Sequence, residues 1–546
     1  MSVLILFFCV LIPQLCSSQS RGMILGDILW EIVVPNNPGT TIQDKQIRSI
    51  KQIPDLNGDN VNEVAVATGN YWTICLNGIN GNELWKFSTH FGSINTGSVE
   101  WEEAMTIADV NNDGIYDVVI GCAGGNEMVY ALNGLNGSRL WSYGDSIITN
   151  DGDIEAISIR YDFNGDGIKD PLVSTSGVTN GGRHALICLN AVNGQEIFYR
   201  VQPEPFTDDV VATESGGAIG VNNNGAPYTV RGFNASGNTT WNYNAPGNTW
   251  SLKEIPDVSS DGIKDIVGLC GFTGAVFAIT GNAGTQVWSQ SLGSSNNGKI
   301  TLLDDADGNG FIDISLSAPQ VAYRLDSKTG NILWSNPLSS SYLRGIDNIS
   351  DVTGDTIDDL VVATQVPARL LVLNGINGNI LFEHFFGSTL NQRGDRAAVL
   401  NDIDTNGVNE FLGGNREGKV ICFYGGNGTI TSVNSGTEMP HKFALHQNYP
   451  NPFNPVTVIS YQLAVNSFVK LIIYDALGKE VATLVNEKKS VEGRPRTYHV
   501  EFDARQVSRQ GSGLASGVYF YRLEVEDLST SSGQAFVETK RMILIK

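Results

Sequence analysis

The sequence predicts an all-β protein, an eight-bladed β-propeller followed by a small Ig-like β-sandwich, on three observations. An acidic loop running into an apolar strand returns along most of the chain. A hairpin with an Asn-Gly or Thr-Gly turn and a terminal aromatic follows it, and both patterns stop after Gly428. Composition agrees, since 61 glycines and only 17% charged residues in 546 suit a turn-rich β protein. No long helical periodicity competes with this reading.

The acidic loops begin at Asp55, Asp109, Asp162, Asp257, Asp305, Asp351 and Asp402, at spacings of 54, 53, 95, 48, 46 and 51. The spacing of 95 is a double step. Its middle unit, with Gly216 and Gly217 at the turn, lacks the acidic loop but keeps the hairpin "GFNASGNTTW". Each unit reads as four strands; in the second these are "EEAMTIAD", "YDVVIGCA", "MVYALNG" and "SRLWSYG". Apolar runs joined by Asn-Gly turns are hairpin signals, and four strands at a period near 50 residues make a propeller blade. Eight units follow, with seven blades as the alternative count. The last unit lacks the hairpin aromatic, whereas "GDILWEIVV" at Gly26–Val34 is a stray fourth strand that has one, Trp30. The N-terminus is therefore expected to complete the last blade and leave no open edge.

Within "DVNNDGIYD" the oxygen-bearing side chains fall at positions 1, 3, 5 and 9, with glycine at 6. That is the opening of an EF-hand loop, closed by a carboxylate at 9 instead of 12. The predicted metal ligands are Asp55, Asn57, Asp59 and Glu63; Asp109, Asn111, Asp113 and Asp117; Asp162, Asn164, Asp166 and Asp170; and Asp257, Ser259, Asp261 and Asp265. Further along they are Asp305, Asp307, Asn309 and Asp313; Asp351, Thr353, Asp355 and Asp359; and Asp402, Asp404, Asn406 and Glu410. Oxygen donors without His or Cys select a hard cation, and a flexible loop of mixed donors suits Ca²⁺ better than Mg²⁺. Several structural Ca²⁺ sites are the expectation. Loops with Ser259, Thr353 or Asn60 in place of the usual residue are expected to be weaker.

These loops resemble the FG-GAP (integrin-α-type) propeller repeats. The "LDSKTGNILW" hairpins resemble those of eight-bladed quinoprotein propellers, and together the two resemblances cover residues 22–430. Beyond a polar linker at 431–442, "LHQNYPNPFNPVTVISYQL" and "GLASGVYFYRLEV" read as alternating strands of a small sandwich. Residues 443–546 closely resemble the C-terminal sorting domain of type IX secretion. That resemblance implies the secretion machinery as a partner, and a secreted or surface destination. At the other end, "MSVLILFFCVLIPQLCSSQS" reads as a signal peptide over 1–20, and no later run is long and apolar enough for a transmembrane segment. The net charge of −22 belongs to the propeller, because residues 441–546 carry 13 basic and 10 acidic groups. Such a field repels nucleic acid and attracts cations. The five cysteines after the leader are an odd number, read as buried structural thiols.

The acidic loops and hairpins share one face of the predicted ring, and the connections of the opposite face vary. Varied loops on a rigid scaffold are where binding resides. Trp101, Glu102, Glu103, Asp151, Asp153, Lys299, Arg344, Arg393 and Arg396 are the candidate ligand-binding residues, with Glu155, Asp208, Asp209 and Trp250 beside them. One side of that mouth is acidic and aromatic, the other basic. The expected function is a ligand-binding or structural module for a glycan or a protein. The alternative is a polysaccharide lyase, for which His90 and His384 are the candidate bases.

Overall fold

Strand boundaries follow the turn chemistry of each repeat. In the second unit Met105–Ala108, Asp117–Gly121, Val129–Leu132 and Arg139–Tyr143 pair antiparallel in chain order. Every residue of the runs "DVVIG" and "VYAL" is buried, so these central strands are covered on both faces. The fourth strand fully buries only Trp141.

The computed structural model describes residues 23–426 and 444–545, apart from 42, 92–96, 126, 145–151, 178–183, 224, 294–297, 319, 339, 341, 388, 390–391, 446–447, 449–450, 464–466, 490–495, 506–513 and 528–534. The expected leader, the linker and Asp151 lie outside the described residues. The chain divides into two compact units, Met1–Thr431 and Ser432–Lys546.

Among the described residues the first unit holds eight four-stranded antiparallel sheets, a propeller architecture. Numbered one to eight, they span 47–88, 105–143, 153–201, 206–245, 249–291, 300–337, 343–387 and 394–423. Sheet eight takes its fourth strand from Ile28–Val33, which runs antiparallel to Lys419–Phe423 with Trp30 opposite Cys422. In sheet four, Phe206–Thr213 turns directly into Gly216–Asn222, which leaves no room for an acidic loop.

The hairpin aromatics pack between sheets. Trp85 Nε1 donates to the Gly134 carbonyl of sheet two at 2.6 Å, and Trp141 reaches Ala191 of sheet three at the same distance. Trp288 reaches Ser327 at 2.8 Å, Trp334 reaches Gly375 at 2.6 Å, and Trp30 reaches Gly78 of sheet one at 2.7 Å. The turn glycine beside each carbonyl is needed: at Gly137 the backbone has φ +70°, and a Cβ would sit 2.5 Å from the Trp85 ring. Around each such contact lies a core cluster, such as Ile53 and Trp85 of sheet one with Met105, Val118 and Tyr130 of sheet two. Removing one of these indoles would cost about 3–5 kcal/mol. Cys75, Cys122, Cys188, Cys270 and Cys422 are buried and free, and burial pushes the Cys122 and Cys270 thiols up to about 12.

The second unit has two antiparallel sheets. Ala444–Leu445, Val456–Leu463 and Arg496–Asp503 form one; Glu480–Lys489, Ser467–Asp475, Gly517–Asp527 and Ala535–Leu544 form the other. Both close on a single core that includes Phe453, Tyr461, Phe502, Tyr521 and Leu523.

Candidate functional site

The seven acidic loops share one wiring. The N–H at position 6 donates to the position-1 aspartate at 2.6–2.9 Å in every loop. The N–H at position 2 donates to the position-9 carboxylate at 2.7–3.3 Å. Position 6 has φ between +67° and +91° throughout, which explains five glycines there and leaves Asn60 and Thr356 strained. Side chains also tie four of the loops to the hairpin of their own sheet. Asn77 donates to Asp59, Asn190 to Asp166, Asn282 to Asp261 and Asn374 to Asp355, at 2.9–3.2 Å.

All seven position-9 carboxylates (Glu63, Asp117, Asp170, Asp265, Asp313, Asp359 and Glu410) have no solvent exposure. Burial first, and then the neighbouring loop aspartates, push Glu63 and Asp359 up to about 7 and Glu410 to about 8. Burial raises Asp117 and Asp170 to about 6 in the same way. Glu410 Oε1 has no hydrogen-bond partner. Apart from Asp313, carboxylates so placed have no cationic partner among the described residues, and in three loops one oxygen from each of three acids lies within 4.8 Å of the others. These are Asp55, Asp59 and Glu63; Asp257, Asp261 and Asp265; and Asp402, Asp404 and Glu410. The donor set and the missing charge fit a hard cation.

The Asp305–Asp313 loop departs from the pattern. The fully buried Arg324 donates from Nε to Asp313 at 2.7 Å and from Nη2 to Asp304 at 2.9 Å. Its Nη1 reaches the Gly375 carbonyl of sheet seven at 3.0 Å. The loop-to-hairpin pair is inverted here as well, with Asn309 donating to Asp326 at 2.9 Å. A guanidinium therefore supplies part of the positive charge that the other loops lack.

The second constellation is a cavity of about 210 Å³, which shares Glu102, Glu103 and Lys299 with a channel of about 570 Å³ beside it. Trp101, Glu102, Glu103, Lys299, Arg344 and Arg396, candidates from the sequence, all line the smaller cavity, as do Glu155, Asp208, Asp209 and Trp250. Two candidates do not. Asp153 accepts the Gly124 N–H at 2.7 Å, and Arg393 pairs with Asp395 at 3.1 Å. Nor is either histidine among its lining residues: His90 stacks on Tyr71, and His384 packs against Phe386 and Phe423.

β-Bulges bring the lining together. The first strand of sheet three slips register between Ile154 and Ala156, that of sheet four between Thr207 and Val210. Sheet five slips between Thr249 and Ser251, and sheet seven between Leu343 and Gly345. The residues skipped are Glu155, Asp208 with Asp209, Trp250 and Arg344, each a lining residue. An extra residue in a strand is unpaired and re-aims its side chain. Burial pushes Asp208 up to about 7 and Asp209 to about 6. Glu103 goes the other way: burial raises it, but Lys299, Lys253 and Lys51 outweigh burial and hold it at about 2.

Lys51, Lys253, Thr301 and Asp347 line the channel and were not singled out from the sequence. Their signal was available, since each stands four residues before a loop aspartate.

Comparison with known proteins places this geometry. A family model described as outer membrane protein assembly factor BamB matches residues 127–315 and 228–448, together more than half of the chain. The chain belongs to this BamB-like propeller family. An FG-GAP-like repeat model matches residues 55–120, and a secretion system C-terminal sorting domain matches 447–537. With that sorting domain, of the type IX system, the protein is a secreted or cell-surface propeller. Sqt1 of Saccharomyces cerevisiae shares the fold at 10% identity, with 73% of this chain and 99% of that one covered and a TM-score of 0.50. The computationally designed Ika8 protein gives 13%, 73% and 100%, with a TM-score of 0.48. BamB from Moraxella catarrhalis gives 14%, 68% and 83%, with a TM-score of 0.34. No curated protein matches the chain. Among the described residues no helix is long and apolar enough to cross a membrane.

Proposed function

We propose that this chain is an exported, calcium-stapled propeller of eight blades that binds a glycan in the cavity lined by Trp101 and Trp250. The blade count is supported by eight four-stranded sheets and by Trp30, which links the last sheet to the first. Two sheets over one core support an Ig-like sandwich for the sorting domain, which hands the chain to the type IX machinery. Calcium would be held by positions 1, 3, 5 and 9 of the acidic loops. It would supply the charge that the buried position-9 carboxylates lack, a structural role.

The observation that carries the binding reading is the set of bulges, which turn acids, an indole and a guanidinium from separate strands into one cavity. The same bulge recurs in sheets one and eight, between Ile47 and Ser49 and between Gly394 and Arg396, so it belongs to the repeat. What supports binding is the chemistry of the residues that occupy it in sheets three, four, five and seven. Two tryptophans with convergent polar groups favour a sugar over a protein, since C–H faces stack on indole while hydroxyls bond to carboxylates. A protein partner would call for a broad flat face. The test is titration of the intact, calcium-loaded chain with a panel of neutral and acidic oligosaccharides, followed by tryptophan fluorescence. The double variant Trp101→Ala/Trp250→Ala should weaken binding at least tenfold. Unchanged affinity in that variant would remove the cavity from the account.

A further inference from the structure

Among the cationic side chains at the cavity, Arg344 stands apart. Lys299 is paired with Glu103. Arg396 donates to the Arg48 and Asp395 carbonyls and lies 3.7 Å from Glu102. Arg344 has no hydrogen-bond or ion-pair partner among the described residues, and its Nε is buried. Asp395, which faces it electrostatically, is held by Arg393 at 3.1 Å and by Gln365 at 3.2 Å. A guanidinium with a buried Nε and no partner is unspent, and the bulge at Leu343/Gly345 aims this one at the cavity.

Building on the glycan reading, we infer that the cavity recognises a sugar unit bearing a carboxylate, with Arg344 gripping that carboxylate. The planar fork of arginine matches a carboxylate with two parallel hydrogen bonds. A dianionic phosphate is disfavoured, because Glu103, Glu155, Asp208 and Asp209 line the same space. A monoanion at the Arg344 end avoids most of that repulsion. The acids then face the neutral part of the ligand, where carboxyl groups that retain protons both donate to and accept from hydroxyls. Burial pushes Glu155 well up and Asp208 to about 7, so both are suited to that role. At about 210 Å³ the cavity falls below the roughly 300 Å³ at which pockets for drug-sized ligands begin, which limits it to one ring of a longer glycan.

The test uses the intact, calcium-loaded chain and three monosaccharide acids (glucuronic, galacturonic and sialic), each beside its methyl ester. The ester keeps the ring and removes the charge. Calorimetric titration should show at least one free acid binding tenfold or more tighter than its ester. Arg344→Ala should abolish that preference and Arg344→Lys should keep part of it. Melting of Arg344→Ala should be unchanged or raised, since the side chain has no partner to lose. Equal binding of acid and ester, indifferent to Arg344, overturns the carboxylate inference and leaves glycan binding standing. Arg344→Ala that melts well below the parent makes the residue structural and also overturns the inference. No binding of any acid or ester by a chain that binds a neutral oligosaccharide overturns this inference alone; no binding of either kind overturns the glycan reading with it.

Discussion

The Asp402–Glu410 loop and the cavity at Trp101 both crowd carboxylates into buried positions, and they meet the problem differently. The loop leaves Glu410 Oε1 without a partner and repeats a wiring found in six other places. The cavity mixes acids with Lys299, Arg344 and Arg396, with different residues from different sheets. A repeated arrangement with a missing charge points to a structural ion, whereas an individual arrangement with an unspent guanidinium points to a ligand. The Asp305–Asp313 loop lies between the two, a repeat whose missing charge comes partly from the chain itself.

Three variants test that contrast. The largest effect is expected from Arg324→Met, which strands Asp304 and Asp313 and should destabilise by about 3–5 kcal/mol in denaturant titration, with or without calcium. A loss confined to calcium-free buffer would mean that the ion outweighs the guanidinium there. Next is Glu410→Gln. With millimolar calcium it should cost about 1 kcal/mol, the linkage of one weak site. In chelator it should be nearly neutral, because burial already holds Glu410 protonated up to about 8. The same cost in both buffers would make Glu410 a packing residue.

The third variant concerns the cavity. Asp208 keeps its proton up to about 7 in the folded chain, against about 4 when unfolded. Between those values the folded state binds more protons, so this group's contribution to stability is lost as pH rises through the window. Asp208→Asn should match the parent at pH 4 and melt about 5 °C above it at pH 8, with calcium saturating. Parallel melting curves would show that the cavity does not hold that proton.

The loops were legible because seven copies at a fixed offset rise above the ordinary preference of Asp, Asn and Gly for turns. The exception was legible too, though it was not read. Arg324 stands where the other hairpins have Cys75, Ala131, Cys188, Gly232, Ala278, Val372 and Cys422, and a long cation at a position of mostly small residues needs a buried acid. Asn309 and Asp326 likewise exchange the residue types used elsewhere. The cavity was only half legible. Its residues were found as chemistry near strand starts, but the bulges that separate Arg396 from Arg393, or Glu155 from Asp153, leave no mark in a two-residue alternation. Which of two neighbouring charges faces the cavity is decided by backbone register, and that needed the fold.

Differential scanning calorimetry of the intact chain, in millimolar calcium and then in chelator, tests the stapled propeller most directly. Each loop should contribute about 0.4–1.4 kcal/mol, so six or seven together should lower the propeller's melting transition by about 3–12 °C when calcium is withdrawn. The transition of the C-terminal unit should not move. Superimposable thermograms in the two buffers would contradict the account, and the buried carboxylates would then be protonated turns rather than ion sites.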